Sequence, residues 1–167
     1  MPDSPHTAPL TEPPVDSPER RRLPPLLRRA WYGLNRAFRR RIAHTGVTPD
    51  QFTVMRILLE GDPLGITQRE LTQTMTSDPN TVAALLERMV QAGWVERRAH
   101  ETDRRAHRIR LLLAGAKKYG EVRQVAISLQ SEVLGVLPLE KRQEFLDSLG
   151  AVADECRAMA DKRRSRG

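Results

Sequence analysis

Residues Thr67 to Gly115, TQRELTQTMTSDPNTVAALLERMVQAGWVERRAHETDRRAHRIRLLLAG, decide how this chain folds. Thr67 and Glu70 stand three apart ahead of an apolar position, the spacing of a capping box, so a helix starts at Gln68. Thr76-Ser-Asp78-Pro79 breaks that helix and starts another, with Asp78 as cap and Pro79 at the first helical position. Val82, Leu85, Leu86 and Met89 then repeat at helical spacing and predict its buried face, with the helix ending near Gly93. Beyond Gly93, Trp94–Arg98 and His107–Leu111 alternate apolar and polar residues, as a half-buried antiparallel pair does. Between the two lies a loop that carries Glu101-Thr-Asp103-Arg104-Arg105. Helix, turn, helix and basic wing, in that order, point to a chain built to read double-stranded DNA.

The flanks read as helices. Pro24-Pro25 opens one whose Leu27, Trp31, Leu34, Phe38 and Ile42 share a face, ended by His44-Thr-Gly46. Thr48-Pro49-Asp50-Gln51 is a second capping box; its helix should bury Phe52, Met55, Ile57, Leu58 and Leu59 before Gly61-Asp-Pro63 stops it. From Ala114 the helical period returns through Val122, Val125, Leu129 and Val133, until Pro138. A last helix spaces Phe145, Leu149, Val152, Cys156 and Met159 by four, three, four and three. The expected fold is mainly α with a small β-wing. Residues 1–23, with six prolines, form a disordered tail. Residues 24–162 form one domain, with a winged helix-turn-helix at 47–113 and outer helices at 24–46 and 114–162; 163–167 is a basic tail.

Charge supports the same partner. The net charge is +7 over 167 residues, usual for a nucleic-acid binder and unusual for an enzyme. Its placement says more. Nine arginines and no acid lie between Arg20 and Arg41, whereas residues 48–92 carry three bases against six acids. Residues 93–120 carry eight bases against three acids. Positive charge therefore sits on the first helix and the wing, and the second helix of the device is not basic. No apolar run is long enough to span a bilayer and no secretory leader is evident, so a cytoplasmic location is expected. A single cysteine excludes an internal disulfide framework.

In a helix-turn-helix the first turns of the second helix enter the major groove. Here those turns offer Asn80, whose amide can pair with adenine, and Thr81 and Ala84, which can meet a thymine methyl. Arg88 follows with a phosphate contact or a surface ion pair open to it, and Thr67 and Gln68, at the start of the supporting helix, are expected among the DNA contacts as well. Asp78 and Thr81 also read simply as capping residues. In the wing, Arg98, Arg104, Arg105 and Arg108 have the length to enter a minor groove, with Asp103 placed to orient Arg105. The alternative is a solvated charged loop. The arginines of the first helix either flank DNA or coat a solvent face.

Over residues 24–160 the chain resembles the MarR family of bacterial winged-helix regulators. The resemblance rests on Thr48-Pro49-Asp50-Gln51-Phe52, Leu71, Thr81-Val82, Leu85-Leu86-Glu87-Arg88-Met89, Gly93-Trp94-Val95-Glu96-Arg97 and Asp103-Arg104-Arg105-Ala106, then Leu111 and Gly115. It implies a homodimer on a palindromic operator, usually repressing a nearby gene and often released by a small phenolic ligand. Ala84 stands where many members carry Arg, and Leu112 replaces a usual Thr that would cap the fifth helix. The dimer would be built from Leu27, Trp31, Leu34, Phe145, Leu149, Val152 and Cys156, with intramolecular packing as the other reading. Cys156 on that stripe reads as core. The family's ligand crevice, between dimerisation helices and DNA-binding lobe, would here draw on Trp31, Tyr32, His44, Phe52, Met55 and Arg56, which equally read as plain core.

Neither a cofactor nor a metal is expected. His100, Glu101, Asp103 and His107 share the wing, but so basic a loop suits a dication poorly. No phosphate loop, nucleophile elbow or acid pair marks an enzyme. A non-specific DNA-compacting protein and a winged-helix protein-interaction module remain as alternatives to a sequence-specific regulator.

Overall fold

The computed structural model describes residues 17, 18, 20–99 and 107–164. Six helices and one small sheet follow in chain order: α1 Leu23–Ile42, α2 Pro49–Glu60, β1 Ile66–Thr67, α3 Gln68–Met75, α4 Pro79–Gln91, β2 Val95–Ala99, β3 His107–Leu111, α5 Leu113–Leu134 and α6 Leu139–Arg164. A short 3-10 turn, Ala43–Thr45, closes α1, and Gly46 supplies the left-handed residue that releases the chain. Most of the expected tail, and the last three residues of the basic one, fall outside the described residues.

The local signals act as their chemistry requires. Thr48 Oγ1 accepts from Gln51 N, while Gln51 Oε1 accepts from Thr48 N at 2.8 Å. Thr67 and Glu70 repeat this reciprocal pair at α3. Asp78 Oδ1 accepts from both Asn80 N and Thr81 N, at 2.9 and 3.1 Å. Two orphan amides of α4 are thereby satisfied. Thr76 ends α3 at φ 50°, ψ 47°, a left-handed conformation that a β-branched residue rarely holds and that produces the sharp turn into α4. At α5, Leu112 occupies the N-cap and no side chain bonds there.

One contiguous core fills the winged helix-turn-helix. Met55, Leu58, Leu71, Val82, Leu85, Leu86, Met89, Val95 and Ile109 are buried together, joined by Ile42 from α1 and Tyr119 and Val122 from α5. Beyond its first turn α2 buries Phe52, Val54, Met55 and Leu58; Ile57 is only half-buried and Leu59 exposed, so the helix is rotated from the expected face toward Val54. Phe38 of α1 packs edge-on against Phe52, which in turn stacks on Tyr119. The wing is a three-stranded antiparallel sheet ordered β1-β3-β2, not a pair. The two-residue β1 is too short to show a period, and pairs Ile66 with Ile109 and Thr67 with Arg108.

The outer helices are covered only in part. Trp31 and Leu34 of α1 are exposed, while Phe38 is half-buried and Ile42 buried. No described side chain of α6 is buried, and Cys156 is exposed; this corrects its reading as part of the chain's own core. Arg41 ties α1 to α5 by donating two hydrogen bonds to Glu132, at 2.8 and 2.6 Å. These bonds, with one from Ser128, hold the Glu132 carboxyl below its ordinary range. The tie is therefore complete at neutral pH and is lost only as pH falls through that lowered value.

Gly115 is where α5 meets the sheet. A Cβ there would lie 2.3 Å from Trp94 O and 2.7 Å from Leu111 Cδ1. Gly115→Ala should therefore cost about 1–3 kcal/mol in urea denaturation, from overpacking against backbone. Gly120→Ala, on the same helix with nothing within 4 Å, should instead stabilise by about 1 kcal/mol.

Candidate nucleic-acid interface

Burial on α4 decides what its other face can touch. Val82, Leu85, Leu86 and Met89 are buried, so helical geometry turns Asn80, Thr81, Ala84 and Arg88 outward, and all four are exposed. They make a continuous strip one side chain wide. Asn80 and Thr81 lend only their backbone amides to the Asp78 cap, so the Asn80 amide and the Thr81 hydroxyl and methyl remain available. Arg88 turns its Nε back to Ala84 O at 3.2 Å.

α3 supports α4 from behind through Leu71, which is fully buried. Thr67 is only half-buried, but its hydroxyl donates to Glu70 Oε2 at 2.7 Å and accepts from Glu70 N. Its side chain is thus engaged in capping. Gln68 is half-buried and Arg69 exposed beside it. Arg69 did not stand out in the sequence because its orientation depends on how α3 docks.

The strand register places charged residues on one face of the wing. Glu96 lies opposite Arg110, and Arg98 opposite Arg108. Two arginines directly across a sheet repel. The conflict is relieved on both sides. Arg98 Nε lies 2.8 Å from Glu96 Oε1, with Arg110 Nε 3.9 Å from the same oxygen. That oxygen is buried and its contacts are ion pairs without the alignment of a hydrogen bond. Arg108 Nη1 donates to Gly65 O at 2.9 Å, tying β3 to the residue before β1. Arg98 is exposed and Arg108 half-buried. Asp103, Arg104 and Arg105, with His100 and Glu101, lie outside the described residues.

A separate concavity opens between α2, α5 and the start of α6. Of the six residues expected to line a ligand crevice, Phe52 and Arg56 border it. Met55 is fully buried in the core, Trp31 and Tyr32 are exposed on α1, and His44 is exposed in the 3-10 turn. Tyr119, Arg123 and Arg142 join the lining; the i, i+4 spacing of Tyr119 and Arg123 is visible in the sequence, but not the helices they and Arg142 face. Among the described residues no group of three or more His, Cys, Asp or Glu comes together, and no helix is long and apolar enough to cross a membrane.

Comparison with known proteins places this architecture. A family profile described as MarR family matches residues 45–106. The transcriptional regulator HosA of Escherichia coli is 31% identical over 100 residues, 60% of this chain and 73% of HosA. The chain belongs to the MarR family. The HTH-type transcriptional regulator BilQ of Clostridium symbiosum is 28% identical over 93 residues, which cover 56% of this chain and 65% of BilQ. The repressor CouR, solved on a 23-mer DNA duplex, superposes with a TM-score of 0.69 at 25% identity, covering 77% of this chain and 89% of that one. HosA and BilQ are both transcriptional regulators.

Glu96 holds down the positive charge of this wing. Glu96→Gln should steepen the salt dependence of binding to an arbitrary duplex by about one released counterion, read as the slope of log affinity against log salt. The same variant should melt lower than wild type, since Arg98 would face Arg108 without its counter-charge.

Proposed function

We propose that this MarR-family chain is a sequence-specific DNA-binding repressor, acting as a homodimer on a palindromic operator and released by a small aromatic effector. The observation that carries this reading is the α4 strip, four exposed side chains backed by four buried ones and capped by Asp78. Asn80 would read adenine, Thr81 and Ala84 would contact thymine methyls, and Arg88 would reach phosphate. Arg98, Arg104 and Arg105 would extend into the flanking minor groove, with Asp103 orienting Arg105; Arg108 would set the wing's angle through Gly65. CouR on its duplex and the regulator HosA support this assignment.

Dimerisation is supported by what the chain leaves open. Trp31, Leu34, Phe145, Leu149 and Val152 are exposed along α1 and α6, more apolar surface than a lone helix keeps in water. Two copies meeting through these helices would present two α4 strips, which matches a palindrome. Sedimentation equilibrium should give twice the chain mass.

Binding to the gene's own upstream region, measured by fluorescence anisotropy at physiological salt, tests the assignment against scrambled duplex. Preference for the upstream region is expected. Equal binding to both would indicate a DNA-compacting protein, and no binding a protein-interaction module. Asn80→Ala should lose about 1–3 kcal/mol of discrimination with the salt slope unchanged. Arg105→Ala should weaken operator binding at matched salt while the dimer persists, and unaltered affinity would remove the wing from the reading.

A further inference from the structure

Charge on α1 is of one sign only. Residues 20–41 hold nine arginines, no lysine and no acid. Phe38 packs on Phe52 and Ile42 is buried, which fixes the side of the helix turned toward the body of the protein. At about 100° per residue, Arg29, Arg36 and Arg40 fall within about 40° of one another on the opposite side. All three are exposed, as is Arg39 beside them. They form a straight row about 16 Å long, at 1.5 Å of rise per residue. At its N-terminal end, Arg21, Arg22 and Arg29 border a shallow concavity with Pro25 and Leu26.

The other long helices pair some of their charges. On α5, Lys118 meets Glu121 at 2.6 Å, and on α6 Arg157 lies 3.8 Å from Asp154. Arg41, the α1 arginine that reaches α5, is held by Glu132 at 2.6 Å. Arg29, Arg36, Arg39 and Arg40, by contrast, make no hydrogen bond or ion pair with any described residue. Arg36 also stands three and four residues from Arg39 and Arg40, spacings at which like charges destabilise a helix. A helix that needed only a solvated face would gain from an acid at any of these positions.

A row of guanidinium groups without apolar neighbours fits a polyanion of regular spacing. Each strand of duplex DNA offers a phosphate about every 3.4 Å, so about five lie within the length of the row. A guanidinium can take two oxygens of one phosphate. A membrane surface would require apolar side chains beside the charges, and Leu27, Trp31, Leu34 and Phe38 lie on the other side of the helix. A protein partner would require a dry apolar centre, which the row lacks. The row is also remote from the proposed reading strip. α1 packs on α5 and α2, whereas α4 packs on α3, α2 and β2. The row and the α4 strip therefore look outward from opposite sides of α2, and one straight duplex cannot lie on both.

We propose that the outer face of α1 is a second DNA-binding surface, independent of base sequence. There Arg29, Arg36 and Arg40 hold the phosphates of a duplex segment other than the one on α4, and Arg39 adds to their field. This contact does not rest on the regulator reading above; the joining of an operator to a second segment does.

Capture of a second duplex by the full-length protein tests the assignment. A duplex from the gene's own upstream region is fixed to beads and loaded with protein, and a fluorescent duplex of arbitrary sequence is added at about 50 mM salt. Wild type should capture the second duplex. Arg36→Gln/Arg40→Gln should load onto the beads as wild type does but capture about tenfold less, the size of two lost phosphate contacts. The slope of log capture affinity against log salt should fall by about two. Lys141→Gln/Arg157→Gln, which removes the same charge from α6, should capture as wild type does. Arg36 and Arg40 are exposed, so the melting temperature of their variant should not fall. Undiminished capture in Arg36→Gln/Arg40→Gln, an equal loss in the α6 variant, or loss of loading together with capture would overturn the proposal. So would capture of phosphatidylglycerol vesicles but not of duplex. Loading without preference for the upstream sequence, with capture still lost in Arg36→Gln/Arg40→Gln, would remove the regulator reading and leave the α1 surface standing. Preferential loading with no capture by wild type would do the reverse.

Discussion

The DNA contacts proposed for α4 all depend on one buried face. Val82, Leu85, Leu86 and Met89 are committed to the core against Leu71 and Met55, so the rotation of α4 about its own axis is fixed. A helix of 3.6 residues per turn has no freedom left once four positions on one side are buried. Asn80, Thr81, Ala84 and Arg88 face outward as a consequence. The Asp78 cap then fixes where the helix begins, and the left-handed Thr76 fixes the angle at which it leaves α3. The strip proposed to read bases is thereby set by apolar packing, with little charge on the helix itself.

Charge is handled elsewhere, and with restraint. The wing could have been uniformly basic, but Glu96 draws Arg98 and, at longer range, Arg110, while Gly65 O engages Arg108. Such partial neutralisation limits the sequence-independent attraction to phosphate, leaving the α4 strip a larger share of discrimination. Ala84 likewise adds no charge to the strip. The groove beside α2 inverts the pattern: there Arg56 and Arg123 stand without an acidic partner among the described residues.

Sequence legibility followed the range of the interactions involved. The capping boxes at Thr48 and Thr67, the Asp78-Pro79 start and the buried face of α4 are set by contacts within a few residues, and each appears where the spacing placed it. The two-residue β1 was missed because its identity as a strand comes from β3, more than forty residues away. Arg108 was read as a DNA contact for its charge and position, and its bond to Gly65 spans the same distance. Arg123 and Arg142 enter the groove only when α5 and α6 meet α2. The stripe on α6 was correctly periodic, yet periodicity does not say what covers it. Cys156 was assigned to a core that this chain alone does not build.

Hydrogen exchange of the full-length protein, with and without a duplex from its own upstream region, shows whether α4 and the wing close on DNA. New protection is expected at the first turns of α4 and along β2 and β3, with the core of α2 unchanged. Protection confined to α1 or α6, with α4 exchanging as in the free protein, would contradict that expectation.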